Sequence, residues 1–154
     1  MSALTPLRFE DGRLMLLAGL RQRHALTEND AGLGEQWRRF EELGPLPGQV
    51  GERRYGVMCG ADAQSFEYRC AVEVIAFDEH DPGLGRMRIT PQRYAVFAHR
   101  GTAATLGKTW RAILFDWLPN SSYRSAHRPD FELYGAGQEP ARPDGEIEIW
   151  VAIV

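Results

Sequence analysis

Cysteine is nearly absent from this chain. Cys59 and Cys70 are the only two, too few for the disulfide framework that small secreted domains rely on. The sequence opens MSALTPLRFEDGRLMLL, without the basic start, apolar run and small-residue cleavage site of a signal peptide. No stretch approaches the roughly 20 apolar residues that a membrane helix needs. A cytoplasmic protein that avoids the membrane is therefore expected. Charge of one sign is also missing: 18 basic and 21 acidic residues are interspersed and leave a net −3. No field stands ready to neutralise phosphates, so direct binding to DNA is not expected.

The common signatures of chemistry are missing too. G-x-S-x-G, the P-loop and G-x-G-x-x-G do not occur, and PGLG at 82–85 reads as a turn. His24, His80, His99 and His127 show no metal-ligand spacing, and the two cysteines have no histidine pair nearby. No metal and no cofactor are expected. Ser121, Ser122, His127 and Asp130 crowd one polar loop with nothing to order a triad. His99, at the end of a strand in FAHRG, could carry a proton, but a structural or exposed role is the more frequent fate of such a residue.

What is present is periodicity. At 154 residues with 44% hydrophobic content, the chain can bury a core of its own, and a single domain over 1–154 is expected. Leu14 to Arg21 reads as a strand after the Gly12-Arg13 turn. Thr27 to Asp30 offers capping side chains, and Leu33, Trp37 and Phe40 then share one helical face, with Glu35, Gln36, Arg38, Arg39 and Glu41 largely off it. Gly44-Pro45 and Pro47-Gly48 end that helix. Arg54 to Cys59 and Phe66 to Val74 follow as strands, the second alternating at a period of two.

The charged segment Asp78 to Arg86 reads as a connector, after which the order begins again. Gln92 to His99 is strand-like. Leu106, Trp110, Ile113 and Trp117 form a helical stripe that Pro119 should stop, and Phe131–Tyr134 and Glu146–Val154 supply two closing strands. Leu33-Trp37-Phe40 and Leu106-Trp110-Ile113 share one spacing, shifted by 73 residues. The expected fold is α+β, a pseudo-twofold duplication of a strand-helix-strand-strand unit with repeats at about 13–78 and 86–154. Shared helical spacing by itself also suits any two core-facing helices.

Read together, these segments resemble the GyrI-like small-molecule-binding domain, which forms the effector-binding part of multidrug-responsive transcription activators and also stands alone. The resemblance is carried by the first helix with Trp37 and Phe40, RYGVM, FEYRCAVEV, PGLGR, YAVFAHRG, TWRAILFDWLP and PDFELY, in that order over nearly the whole chain. It implies an antiparallel sheet with two main helices and a ligand groove between the halves. The residues outside the domain are too few for the DNA-binding half of the activators, so any regulation would act through another protein, of which the sequence says nothing.

Glu132 lies between Phe131 and Leu133 and shares its strand face with Tyr134. A strand glutamate is more often solvated than buried, but the resemblance implies that the acid of FE-x-Y is the central ligand contact. In an aromatic groove a carboxylate suffers a desolvation cost that a ligand cation offsets, and Glu132→Gln would remove the charge without lowering the melting temperature. Trp37, Tyr68, Phe97, Trp110, Tyr134 and Trp150 sit on elements expected to border the groove, suiting planar, lipophilic, cationic guests. Of these Tyr68, Trp110 and Trp150 are favoured as lining. Trp37 and Trp110 equally suit core filling. The leading expectation is a non-catalytic binder of small hydrophobic or cationic molecules. The alternative implied by the resemblance is a hydrolase opening strained cyclopropane rings of DNA-alkylating natural products, with Glu132 as base and Tyr68 as hydrogen-bond donor.

Overall fold

A computed structural model describes residues 4–25, 31–60, 62–77, 84–101, 103–140 and 145–154. The elements run β1 (Arg8–Gly12), β2 (Met15–Ala25), α1 (Ala31–Glu41), β3 (Arg54–Cys59), β4 (Ser65–Glu73), β5 (Gly85–Ile89), β6 (Gln92–Arg100), α2 (Ala103–Ala112), a π-helical continuation (Ile113–Trp117), α3 (Leu118–Asn120), β7 (Asp130–Tyr134) and β8 (Glu146–Ala152). The expected cap at Thr27–Asp30, His80 and most of the connector lie outside the described residues.

All eight strands form one antiparallel sheet, ordered β1-β6-β8-β7-β3-β4-β2-β5. The order has a pseudo-twofold: β3-β4-β2 on one side of the centre matches β7-β8-β6 on the other. The register obeys it as well. Arg8 pairs with Val96 and Gly85 with Gly19, so a shift of 77 residues carries Arg8 onto Gly85 and Gly19 onto Val96. The outermost strands are exchanged, since β1 precedes β2 yet flanks β6, and β5 precedes β6 yet flanks β2.

That exchange dictates the shape. Strands in a sheet lie about 4.8 Å apart, so β1 and β2, six places apart, would be about 29 Å from each other if the sheet were flat. Only Arg13 and Leu14 join them, a reach of about 11 Å. The sheet must curl until its edges approach. One face then closes on itself without a helix: Met15 and Leu17 of β2 and Ile89 of β5 join Tyr94 and Val96 of β6 and Phe131 of β7 in one buried cluster.

The other face carries both helices. Trp37 and Phe40 of α1, and Leu106, Trp110 and Ile113 around α2, pack with Tyr68, Cys70, Phe97, Ile147 and Ile149. Each large side chain buried there contributes about 1.5–3 kcal/mol. The structure refines the sequence reading in three places. The edge strands β1 and β5 went unread because RFEDG and GRMRI are short and charged, a common way of protecting a sheet edge. The second helix ends one residue past Pro119, with Ser121 extended, and the Leu118 N–H reaches back to the Ile113 carbonyl in a widened turn that accommodates the proline ring. Gln36, expected off the apolar stripe of α1, occupies the i+3 position of the Leu33-Trp37-Phe40 face and is completely buried.

Where β2 is paired on both sides, Gly19 is indispensable. A Cβ there would sit 1.8 Å from the Cys70 carbonyl oxygen, a backbone atom in a central ladder. Gly19→Ala should therefore destabilise the fold by about 3 kcal/mol or more, read as a lower urea midpoint. Gly107, where an added Cβ meets nothing within 4 Å, is the matched control, and Gly107→Ala should leave the midpoint unchanged or raise it.

Candidate functional site

In β7 the side chains alternate, so Asp130, Glu132 and Tyr134 face the helices while Phe131 and Leu133 face the inside of the curl. Glu132 falls in the middle of a rung that runs Leu20–Cys70–Gly56–Glu132–Ile149–Phe97 across six strands. It is 2% exposed. A carboxylate so placed is tolerable only when its oxygens are hydrogen-bonded.

Three donors converge on it. The Tyr68 hydroxyl donates to Oε1 at 2.5 Å, the Tyr134 hydroxyl to the same oxygen at 2.8 Å, and the Trp110 indole N–H to Oε2 at 2.8 Å. Trp37 donates its own indole N–H to the Tyr68 oxygen at 3.1 Å, which turns the Tyr68 proton toward Glu132. Burial, followed by the charge of Glu132, pushes the Tyr68 and Tyr134 phenols well above their usual range. Both therefore stay protonated and act as donors. The same two causes push the Cys70 thiol up.

The pocket for this carboxylate exists because residue 56 is glycine. A Cβ on Gly56 would lie 2.0 Å from the Tyr68 hydroxyl and 2.6 Å from Glu132 Oε1. Behind Tyr68, the Gln36 amide donates to the Tyr68 and Leu20 carbonyls at 2.8 and 3.0 Å, and His24 bonds the Gln36 oxygen at 2.7 Å. This buried tether locks α1 to β2 and β4. Sequence reasoning missed Gly56, Gln36 and His24. A glycine inside the apolar strand RYGVM was the available signal for Gly56.

Tyr68, Tyr134, Trp110 and Trp37 are thus assembled around Glu132, directly or through one hydroxyl. Phe97 shares the rung but is fully buried and packs edge-on against Trp117 at 4.9 Å. Trp150 is not brought to this cluster. It points to the other face of the sheet, stacked on Phe131 at 5.3 Å beneath the Arg8 guanidinium, and lines a separate cavity of about 390 Å³. Its neighbours in β8, Ile149 and Val151, are the ones that face the helices. His99 ties β6 to α2 through Thr109 at 2.7 Å, a structural contact.

A groove of about 360 Å³ opens between the halves, walled by Met58, Phe66, Trp110, Leu114 and Asp130. The Trp110 ring therefore borders the groove while its N–H holds Glu132. Asp130 accepts the Ala152 N–H at 2.8 Å; burial pushes its carboxyl up to about 7, and that one hydrogen bond opposes the shift. Among the described residues no group of three His, Cys, Asp or Glu is placed to hold a metal, and no helix is long and apolar enough to cross a membrane.

The three donors change the expectation for Glu132→Gln. A glutamine amide would present N–H where a phenol or indole already donates, so that variant should melt below the wild type while still folding. Tyr68→Phe leaves both Glu132 and Trp37 short of a partner, whereas Tyr134→Phe deprives Glu132 alone. Tyr68→Phe should cost about 2–4 kcal/mol and Tyr134→Phe about 1–2, measured by urea unfolding. For Asp130, a folded carboxyl raised from 3.8 to about 7 keeps a proton that the unfolded chain has lost. Its contribution is full below 3.8 and is lost as pH rises through about 7. Asp130→Asn should flatten the stability profile over that window.

The comparisons agree with this architecture. A relative in Pseudomonas aeruginosa, the transcriptional regulator BrlR, is 27% identical over 127 residues, covering 79% of this chain and 46% of the regulator. The chain thus spans less than half of that relative. Among solved structures, SAV2435 bound to tetraphenylphosphonium superposes with a TM-score of 0.69 at 17% identity, covering 96% of this chain and 93% of that one. The C-terminal domain of EcmrR superposes at 0.67 with 12% identity and 96% of each chain covered. An integron cassette protein from the mobile metagenome of Vibrio cholerae also reaches 0.67, at 14% identity and 98% and 97% coverage. The family description of the GyrI-like small molecule binding domain matches residues 6–154, and the chain belongs to that family.

Proposed function

We propose that this domain binds small hydrophobic cations in the groove between its halves, with Trp110 as the stacking surface and Glu132 as the inner counter-charge. The observation that carries the reading is the position of Trp110. Its ring lines the groove and its N–H caps a carboxylate that is otherwise buried. A displacement of this one side chain connects the groove to Glu132. The indole bond, worth about 1–3 kcal/mol when made to a charged group, is then exchanged for an ion pair in a dry setting.

The π-helical turn that follows Trp110 gives α2 a place to yield, as such turns often do near binding sites. SAV2435, of the same fold, was solved with tetraphenylphosphonium, which supports the class of ligand. The relatives that are transcription regulators support a role as an effector-binding unit, a sensor acting through a partner or a drug sink. On this reading the domain does not touch DNA itself, in keeping with its interspersed charge, and works in the cytoplasm. Single-domain behaviour over 1–154, with repeats near 13–78 and 86–154, is part of the proposal.

Hydrolysis of a strained ring has one observation in its favour, the 2.5 Å contact of Tyr68 with Glu132. With Trp110 in place three donors hold the carboxylate, however, and a general base needs a lone pair directed at a water. Binding is the better use of this geometry.

Calorimetry with tetraphenylphosphonium and with a neutral tetraphenyl analogue tests the reading. Glu132→Gln should weaken the cation by about 2–5 kcal/mol, as expected when one partner of a buried charged pair is removed, and leave the neutral compound unchanged. Equal affinity of folded wild type and variant for the cation would place the site elsewhere.

A further inference from the structure

We propose that Asp130 is a second carboxylate of the same groove, an outer subsite for an ammonium or other hydrogen-bonding cationic group on the ligand. The inference rests on reading the groove as a cation site and specifies what kind of cation it selects. A quaternary centre wrapped in phenyl rings offers no N–H, so Glu132 can attract it only through charge. A primary or secondary ammonium can do more, because it can donate to a carboxylate at the wall.

The geometry supplies that carboxylate. Asp130 and Glu132 are two residues apart on β7 and project from the same face. Asp130 lines the groove beside Met58 and Trp110. Its Oδ1 is held by the Ala152 N–H, which fixes the carboxyl plane. No buried side-chain oxygen among the described residues lacks a partner, so Oδ2, for which no hydrogen bond is seen, is not fully sealed from the groove. A ligand stacked on Trp110 therefore meets one acid at the wall and reaches another behind the indole.

The surroundings set when the outer acid is charged. His127 and Arg128 approach from the preceding loop and Cys59 from β3. Tyr94 approaches from β6, its phenol raised to about 12 by burial and then by Asp130. Glu132 follows on β7, and β8 contributes the Ala152 N–H. The Arg128 guanidinium is bonded to Thr90 at 2.8 Å. Burial holds the Asp130 carboxyl up to about 7, so it carries a proton in mildly acidic buffer and a charge in mildly basic buffer. Only the charged form attracts a cation, and affinity for an ammonium should rise with pH.

The test uses naphthylmethylammonium and its neutral counterpart naphthylmethanol, titrated calorimetrically into the whole chain at about pH 5.5 and about pH 8, on either side of that ionisation. Wild type should bind the ammonium about fivefold more tightly at the higher pH, the scale of a partly exposed ion pair, and bind the alcohol equally at both. Asp130→Asn keeps an oxygen for Ala152 and removes the charge. It should hold the ammonium at the low-pH affinity throughout. Asp130→Ser, whose hydroxyl can also accept from Ala152, replaces it if the asparagine variant does not fold. An unchanged pH rise in these variants overturns the subsite while cation binding that still depends on Glu132 leaves the groove reading standing. Failure of wild type to bind the ammonium at either pH overturns both.

Discussion

A buried carboxylate is the constraint that organises this fold. An isolated charge of that kind would cost far more than the few kcal/mol by which a domain of this size is stable, so the side chains around Glu132 are not free to vary independently. Tyr68 from β4, Tyr134 from β7 and Trp110 from α2 must each arrive with a donor. Trp37 from α1 orients one of them, and β3 must contribute no side chain at position 56. Five elements are thereby held to one pair of oxygens, and both helices are fixed to the sheet at its centre.

The duplicated frame makes this arrangement possible and also shows how far it departs from symmetry. The central pairing of the sheet is β3 against β7, and Gly56 faces Glu132 across it. Moving outward along the same rung, Gly56 meets Cys70 and Leu20, while Glu132 meets Ile149 and Phe97. Corresponding places hold a glycine on one side and an acid on the other. Two carboxylates facing each other there would repel and could not both stay ionised. The two helix tryptophans keep the symmetry, each sending its N–H toward the centre, but one reaches the carboxylate and the other stops at a phenol.

Much of this was legible in the sequence, and the parts that were not have physical reasons. Alternation in FEYRCAVEV and DFELY sets the facing of Tyr68, Glu132 and Tyr134, because side-chain parity in a strand is a local property. Trp37 and Trp110 follow from helical spacing in the same way. Parity also determines that Trp150, between Ile149 and Val151, must face away from them, and grouping it with Glu132 overlooked a constraint already visible in EIEIWVA. Gln36 shares the i, i+3, i+4, i+7 face with Leu33, Trp37 and Phe40, but its tether was not legible, since it depends on carbonyls from two strands reaching it. The exchange of β1 and β5 was likewise hidden, because edge pairing is decided by tertiary closure rather than by five charged residues.

The division of the sheet into two faces bears on where a cation would be drawn. The inner face curls around a cavity of about 390 Å³, and at its rim Arg8 pairs with Glu148 and Glu10, and Arg13 with Glu73. In these pairs the arginines stay partly exposed, which weakens them. The helix face instead encloses a carboxylate among phenols and indoles, donors that stabilise the ion while leaving its net charge in place. Such a charge acts strongly on a cation brought close in a dry groove and weakly on a neutral guest. Tyr68 and Tyr134 hold Oε1 from inside the core, whereas of these three donors only Trp110 holds Oε2. Releasing Trp110 toward the groove disturbs only the side chain that already borders it. That release would turn Oε2 and its charge toward the groove.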